Sequence, residues 1–160
     1  MRLLFLRHAD ALESADDFNR PLSPKGKKQA KIIGQFLRRS GNIPDAVCSS
    51  PLLRTMQTAE IVLSHCETEK KVAVAATPAL ANGTSQPHFN EWIKEIRHAK
   101  CALLVGHMPS LAERIAHLLG MSSPESLKLP KTGLYGVETE DCRSGILQFF
   151  LSPKLLEPLQ

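Results

Sequence analysis

The sequence predicts an α/β protein, a three-layer sandwich around a mostly parallel central sheet. Short apolar runs alternate with amphipathic stretches along the chain, a pattern typical of strands that alternate with helices. The chain has 160 residues, of which 42% are hydrophobic and 22% charged. A chain of this length buries roughly 70% of its unfolded surface and needs no disulfide or metal to hold a core. We therefore expect one domain over residues 1–160.

Six strands are predicted from short apolar runs that end at polar or turn-forming residues. They are Leu3–Leu6, Ala46–Cys48, Val72–Ala76, Ala102–Val105, Gly133–Val137 and Ile146–Leu151. A turn-rich segment, residues 140–145, joins the last two. The first four alternate with helical patterns, and this alternation indicates a mostly parallel sheet.

The first helix has the clearest boundaries in the sequence. Ser23 is predicted as its N-cap and Pro24 as its first residue, after a polar loop over residues 9–22. Gly41 is expected to end it. The residues with helical spacing are Ala30, Ile33, Phe36 and Leu37.

Three further helices are predicted from apolar residues at helical spacing. The second begins at Pro51, and its apolar face comprises Leu52, Met56, Ala59 and Leu63. The third follows a loop over residues 77–87 and contains Phe89, Ile93 and Ile96. The fourth starts at Ser110, ends before Gly120 and carries Leu111, Ile115 and Leu118 in register.

The formal net charge of +4 is concentrated at the start of the chain. Residues 1–40 contain nine Lys or Arg against four Asp or Glu, and the rest is nearly balanced. The lysines of the first helix indicate a solvated face that can attract a small anion or an acidic phosphoprotein. Nucleic-acid binding has little support because aromatic residues make up only 5% of the chain and are not interleaved with basic ones.

The sequence also bears on location and on cysteine chemistry. No apolar run approaches the ~20 residues of a membrane helix, and Leu3–Leu6 is too short for the core of a signal peptide. We expect a cytoplasmic protein that binds neither membranes nor nucleic acid. The four cysteines stand singly, without a C-x-x-C pair, which argues against a zinc site and a disulfide framework.

Basic side chains follow three of the predicted strands. Arg7 and His8 come after the first strand, and His107 comes after the fourth. Arg54 lies one helical turn beyond Ser50, which follows the second. Ligands of a parallel sheet bind outside the carboxyl ends of its strands, so we expect these residues to converge at one edge.

The side-chain types in this cluster indicate which ligand and which reaction it suits. Two guanidinium groups match tetrahedral oxyanions, above all phosphate, because their planar N–H forks carry permanent charge. A histidine among them can act as a nucleophile when its second ring nitrogen is held by a hydrogen bond. The rival interpretation is a metal site of His8, Asp10 and His107. It is disfavoured because Arg7 and Arg54 would repel a divalent cation.

Three segments together resemble the histidine phosphatase superfamily. They are Arg7-His8-Ala9-Asp10, the stretch SSPLLRTMQTA over residues 49–59, and Val105-Gly106-His107. The short chain and the stretch RPLSPKG over residues 20–26 resemble the SixA-like phosphohistidine phosphatases in particular. The resemblance extends from Met1 to about Leu151 and implies a phosphoglycerate mutase-like fold.

The resemblance implies a metal-independent phosphatase without a cofactor. His8 would be the nucleophile and would form a covalent phosphohistidine intermediate. Arg7, Arg54 and His107 would bind the phosphoryl oxygens and stabilise charge on the transferring group. The expected substrate is phosphohistidine on a protein, for example a histidine-containing phosphotransfer domain, and the phosphatase is expected to be a monomer.

Two residues depart from the family pattern. Ala9 stands where glycine usually follows the catalytic histidine; if that position requires a positive φ, alanine costs roughly 1 kcal/mol. The usual general acid is also missing, since residues 77–84 contain no Asp or Glu. A phosphohistidine leaves as imidazole and needs an acid less than an ester does, which favours a phosphoramidate substrate.

Three alternatives follow from these departures. A carboxylate of the 9–22 loop can supply the acid, and the candidates are Asp10, Glu13, Asp16 and Asp17. The substrate can instead be a small phosphorylated metabolite or a phosphoprotein ester. The chain can also be a non-catalytic phosphate-binding module, for which Ala9 and the missing acid both argue.

Overall fold

The computed structural model describes residues 1–66 and 72–156 and confirms the predicted fold class. The strands are β1 Arg2–Arg7, β2 Ala46–Ser49, β3 Val74–Ala76, β4 Cys101–Gly106, β5 Leu134–Glu138 and β6 Ile146–Leu151. They form one sheet in the order β3-β2-β4-β1-β5-β6. The first four strands pair in parallel, and β5 and β6 add to one side in antiparallel orientation.

Helices cover the sheet between the strands. They are α1 Pro24–Arg39, α2 Leu53–Ser64, α3 Gln86–Trp92, α4 Ser110–Leu118 and the short α5 Pro153–Leu156. Single 3-10 turns lie at Pro78–Leu80, Ile93–Ile96 and Pro124–Ser126. Within the described residues, no helix combines the length and apolarity needed to span a membrane.

Two buried apolar clusters make the sheet the middle of three layers. On one face, Leu4 and Leu6 of β1 pack with residues of α1 and α2. On the other face, Phe5 packs with residues of α3 and α4. The residues predicted to face the core from α4 are all buried, namely Leu111, Ile115 and Leu118.

The start of α1 is fixed against the segment that follows β1. As predicted, Ser23 caps the helix: its Oγ accepts a hydrogen bond from the Gly26 N–H at 3.0 Å. The same hydroxyl donates to Asp10 Oδ2 at 2.6 Å. Glycine is required at position 26 because a Cβ there would lie 2.0 Å from the backbone oxygen of Asp10. Gly41, just past the end, has the expected positive φ of 69°.

The predicted face of α2 is only partly correct. The helix begins at Leu53 and not at Pro51, and Met56 and Leu63 are only half-buried. Its buried residues are Arg54, Thr55, Thr58, Ala59 and Val62, of which only Ala59 was predicted. The threonines are accommodated because their hydroxyls donate to backbone carbonyl oxygens. Apolar periodicity could not predict this register, which buries Arg54.

The region between β2 and β4 also differs from the prediction. Strand β3 begins at Val74 rather than Val72. The predicted loop 77–87 contains a 3-10 turn, and the predicted helix through Ile96 is divided into α3 and a second 3-10 turn. The sequence contains a signal for the start of both elements that the prediction missed, namely a capping residue followed by proline. Thr77 caps the first 3-10 turn and Ser85 caps α3, and each element has Pro within its first two residues.

Candidate active site

The structure brings the four predicted site residues to the carboxyl edge of the parallel strands. Arg7 ends β1 and His8 follows it, His107 follows β4, and Arg54 lies in the first turn of α2. His8, Arg54 and His107 are at most 7% exposed. The strand order places β4 between β1 and β2, so these three strands present their ends side by side.

The position and tautomer of His8 are set by the backbone. Its N–H donates to the Gly106 carbonyl at 3.1 Å, and its own carbonyl accepts from the Thr132 N–H at 3.3 Å. The ring atom Nδ1 lies 2.8 Å from the Ala9 carbonyl oxygen. A carbonyl oxygen can only accept, so Nδ1 carries the proton and Nε2 keeps its lone pair. The nucleophilic atom available to a substrate is therefore Nε2.

His107 forms the second half of a histidine pair. Its ring centroid lies 5.3 Å from that of His8, and the two rings are inclined at 57°. Its Nε2 is 2.9 Å from the hydroxyl of Ser50, which is fully buried at the end of β2. From the sequence, Ser50 was predicted to follow a strand but had no predicted role. In the structure this hydroxyl determines which way the His107 ring faces.

Both histidines are neutral near pH 7. Burial is the main cause and lowers the pKa of His8 to about 4, with the positive charges of Arg54, Arg7 and Arg20 contributing in the same direction. Burial, followed by the charges of His8 and Arg54, lowers the pKa of His107 to about 3. Nucleophilic attack requires an unprotonated nitrogen, and this environment supplies it.

The two arginines are held by backbone carbonyl groups. Arg7 Nη1 donates to the Leu129 carbonyl at 2.9 Å, and Arg54 Nη1 donates to the Asp17 carbonyl at 2.7 Å. The Nε atoms of both arginines are buried and have no hydrogen-bond partner among the described residues. Buried donors without acceptors are unfavourable, and an anion in the site would supply acceptors for these guanidinium groups.

Two further residues of the 9–22 loop belong to the site. Asp17 Oδ2 lies 3.2 Å from Arg54 Nη2, and Asp17 Oδ1 lies 3.2 Å from Arg20 Nη2. From the sequence, Asp17 was predicted only as a possible acid and Arg20 had no predicted role. Apolar patterns do not predict how this polar loop folds. The signal in the sequence is that Asp17 and Arg20, which carry opposite charges, stand three positions apart directly before Pro21.

Ala9 causes no backbone strain in this structure. Among the described residues, the non-glycine residues with positive φ are Thr132 and Cys142, so position 9 does not need glycine for its conformation. The Ala9 side chain is fully buried in the apolar cluster shared with α1 and α2. Its N–H donates to Thr58 Oγ1 at 3.0 Å. The alanine therefore only adds a methyl group, which the core accommodates.

Two of the other carboxylates weighed as acids or metal ligands have different partners, and the third, Glu13, is exposed. Asp10 accepts from Ser23 and, at 2.5 Å, from Lys131, and these bonds lower its pKa. Asp16 accepts hydrogen bonds from the backbone of its own turn. Across residues 1–66 and 72–156, no group of three or more His, Cys, Asp or Glu is arranged to hold a metal ion.

Fold and site together define an α/β protein of the phosphoglycerate mutase-like fold with a cluster of two histidines and two arginines at the carboxyl edge of its sheet. A family model described as the histidine phosphatase superfamily (branch 1) matches residues 3–82. An uncharacterized protein of Picosynechococcus sp. is 33% identical over 99% of this chain and 100% of its own length. The chain belongs to the histidine phosphatase superfamily.

Two solved structures place the fold within that superfamily. The protein histidine phosphatase SixA, complexed with tungstate, has a TM-score of 0.87 and 23% identity over 98% of this chain and 99% of its own. The alpha-ribazole phosphatase of Shigella flexneri has a TM-score of 0.75 and 20% identity over 96% and 97%. These likenesses confirm the predicted SixA-like architecture and show a fold shared by phosphatases with different substrates.

Proposed function

We propose that this histidine-phosphatase-type phosphatase hydrolyses phosphohistidine on a protein through a covalent intermediate on His8, without a metal ion. The observation that carries the proposal is the 2.8 Å contact between His8 Nδ1 and the Ala9 carbonyl. Because Nδ1 carries the proton in this contact, Nε2 keeps the lone pair that a nucleophile needs, beside two arginines. Phosphoryl transfer depends mainly on positioning and on compensation of charge, and the cluster supplies both.

In the first step, His8 Nε2 forms a bond to phosphorus, and the bond between phosphorus and the substrate imidazole breaks. The electron pair of that bond remains on the leaving nitrogen. The substrate reacts in its imidazolium form, in which the other ring nitrogen has taken up a proton from solvent, so that the imidazole leaves as a neutral group. Arg7 and Arg54 offset the negative charge on the phosphoryl oxygens during the transfer.

In the second step, a water oxygen attacks the phosphorus and the bond to His8 Nε2 breaks. The electron pair returns to Nε2, the water proton goes to the phosphate product, and inorganic phosphate leaves. His107 contributes one N–H while it is neutral. A phosphoryl group nearby favours its protonated form, because opposite charges attract, and so strengthens this donor when charge builds up.

The substrate class follows from the carboxylates near the site. Residues 77–84 contain no Asp or Glu, and Asp10 and Asp16 are bonded elsewhere. Asp17 lies at the site, but its Oδ2 accepts from Arg54 and its Oδ1 forms an ion pair with Arg20. A leaving imidazole tolerates this lack of an acid, whereas an alkoxide loses the 10²–10⁴-fold that a positioned acid contributes. A histidine-containing phosphotransfer domain is a suitable partner.

A second candidate is a phosphatase of small phosphate esters or of phosphoprotein esters. The specific observation in its favour is the Asp17 carboxylate, which reaches the site from the 9–22 loop. For this function, one Asp17 oxygen would have to break its contact with an arginine, take up a proton and donate it to the leaving oxygen. This predicts that Asp17→Asn abolishes ester hydrolysis while His8 still becomes phosphorylated by phosphohistidine.

The deciding experiment compares rates on a phosphohistidine protein with rates on a panel of phosphate monoesters, all with chelator present. His8→Ala is the control for each substrate. We expect kcat/KM to be highest for phosphohistidine and to vanish in His8→Ala. Higher rates on a monoester would favour the second candidate, and phosphate binding without turnover would indicate a binding module.

A further inference from the structure

We propose that Asp17 and Arg20 are positioning residues of the phosphoryl pocket: Asp17 holds the Arg54 guanidinium in its binding orientation, and Arg20 holds Asp17. The inference rests on the proposed function, because it assigns to Arg54 the task of binding a phosphoryl group. It gives a role to two residues that the catalytic steps above do not use.

The contacts between Asp17 and Arg54 fix the plane of the Arg54 guanidinium group. Nη1 donates to the Asp17 backbone oxygen at 2.7 Å, and Nη2 donates to Oδ2 at 3.2 Å. Two contacts to different nitrogens of a planar fork leave it little rotational freedom. Arg54 Nε is buried without a hydrogen-bond partner among the described residues, so it can donate to an anion.

The contact to the Asp17 backbone oxygen is evidence that Asp17 positions Arg54 and does not simply occupy the phosphate site. A side-chain carboxylate can rotate away from Arg54, whereas the Asp17 carbonyl is held in place by the chain. The chain is anchored there because the Phe18 carbonyl accepts from the Leu53 N–H at 3.0 Å, at the start of α2. The loop and the helix that carries Arg54 are thus joined beside the guanidinium itself.

Arg20 completes the arrangement from the other side. The Asp17 side chain is 65% exposed, whereas that of Arg54 is 6% exposed. An exposed carboxylate bound by one oxygen can rotate, and ordering it costs side-chain entropy. Arg20 Nη2 lies 3.2 Å from Oδ1, the oxygen that Arg54 does not use. The carboxylate therefore bridges two guanidinium groups with one oxygen for each.

The first test measures vanadate affinity in Asp17→Ala, Asp17→Asn and the wild type. Asparagine keeps an acceptor for Arg54 Nη2 without the charge, so we expect it to stay within about 3-fold of the wild type. Alanine should weaken vanadate binding by about 10-fold, since a misoriented fork loses contacts to the anion. If Asp17 instead competes with the anion, both variants bind vanadate more tightly, and the proposal is overturned.

The second test asks whether Arg20 acts through Asp17. Arg20→Ala should weaken vanadate binding in the wild-type background and have no further effect in Asp17→Ala. Arg20→Lys should restore part of the affinity. Additive losses would mean that Arg20 binds the anion itself and would overturn its positioning role. If Asp17→Ala fails to fold, Asp17→Asn serves as the background: it removes the charge that pairs with Arg20, so Arg20→Ala should again have no further effect.

Kinetics separate this inference from the proposed function. Positioning of a binding group predicts that Asp17→Ala raises KM for phosphohistidine more than it lowers kcat. Failure of the proposed function would appear as no turnover of phosphohistidine by the wild type. If Asp17→Ala turns over phosphohistidine and binds vanadate as well as the wild type does, the proposed function stands and the positioning role is refuted.

Discussion

The imidazole rings of His8 and His107 lie 5.3 Å apart, and both side chains are buried. A proton on His8 makes a proton on His107 less favourable, in addition to the cost of burying a charge. The pair is therefore neutral in the folded protein, although an unfolded histidine would take up protons below its ordinary pKa of 6.5. This difference couples the site to the stability of the whole fold.

The first prediction concerns that coupling. The pKa of His8 is lowered to about 4 in the folded state, so between pH 6.5 and 4 the unfolded state binds more protons. The free energy of unfolding should then fall as the pH falls through this window. At pH 4.5 the contribution of His8 is about 2–3 kcal/mol. Urea unfolding of the wild type and His8→Gln at pH 7.5 and 4.5 measures it.

A matched control is available for the stability measurement. His98 is exposed, and His98→Gln should keep the pH dependence of the wild type. His8→Gln should lose less stability on acidification than the wild type does. Equal losses in both proteins would show that His8 is not a buried neutral histidine.

The second prediction tests His8 as the nucleophile. His8→Ala should abolish turnover, because no other neutral nitrogen among the described site residues has its lone pair freed by a backbone carbonyl. Rapid quenching of the wild type during turnover should trap acid-labile phosphate on His8, detected by mass spectrometry under alkaline conditions. His98→Ala should remain active. An undiminished rate in His8→Ala would refute the assignment.

The third prediction concerns Arg7 and Arg54. Each charge-assisted hydrogen bond to a phosphoryl oxygen is worth about 1.5–3 kcal/mol, so each alanine variant should bind vanadate roughly 10- to 150-fold more weakly. Calorimetric titration measures the affinity, and Arg97→Ala, at an exposed position, is the control. An arginine whose removal leaves the affinity unchanged does not bind the anion.

The fourth prediction is that turnover does not require a metal ion. The cysteines are free and scattered, and the arginines make the site unfavourable for a divalent cation. Activity should be the same before and after treatment with a chelator, measured on phosphohistidine. Activity that disappears with the chelator and returns with zinc or magnesium would contradict this.

The sequence predicted the parts of the fold that local chemistry specifies. Ser23 and Pro24 start α1 in the structure because a cap and a proline act through the nearest backbone groups. The residues after the strands converge because the carboxyl ends of parallel strands lie side by side. This reasoning placed Arg54 at the edge of the sheet although the apolar face predicted for its helix was only partly correct.

The remainder depended on contacts between distant segments. The role of Ser50 appears only when β2 and β4 pair and bring it to His107. Asp17 and Arg20 come to the site because their loop folds onto the start of α2, and no periodicity describes such a loop. The cost of Ala9 likewise depended on a backbone angle that the residue type alone does not determine.

The last prediction concerns the basic face of α1. Six Lys or Arg side chains of this helix are exposed, and the helix contains no Asp or Glu. Like charges three or four residues apart destabilise a helix by about 0.2–0.5 kcal/mol per pair, so this arrangement is not explained by the stability of α1. Its N-terminus packs against Asp10, two residues after His8. The part of an acidic protein surface bound at the N-terminal end of α1 would therefore lie near His8.

We expect the double variant Lys28→Glu and Lys31→Glu to be at least as stable as the wild type, because it relieves repulsion within α1. Its kcat/KM should fall about 10-fold on a phosphohistidine peptide rich in Glu, and the difference should fade as salt rises. On the same peptide with Gln in place of Glu, it should match the wild type. The control is Lys100→Glu with Lys128→Glu, which makes the same change in net charge at other exposed positions. If both double variants lose the same activity, the effect comes from net charge and α1 is not the docking face.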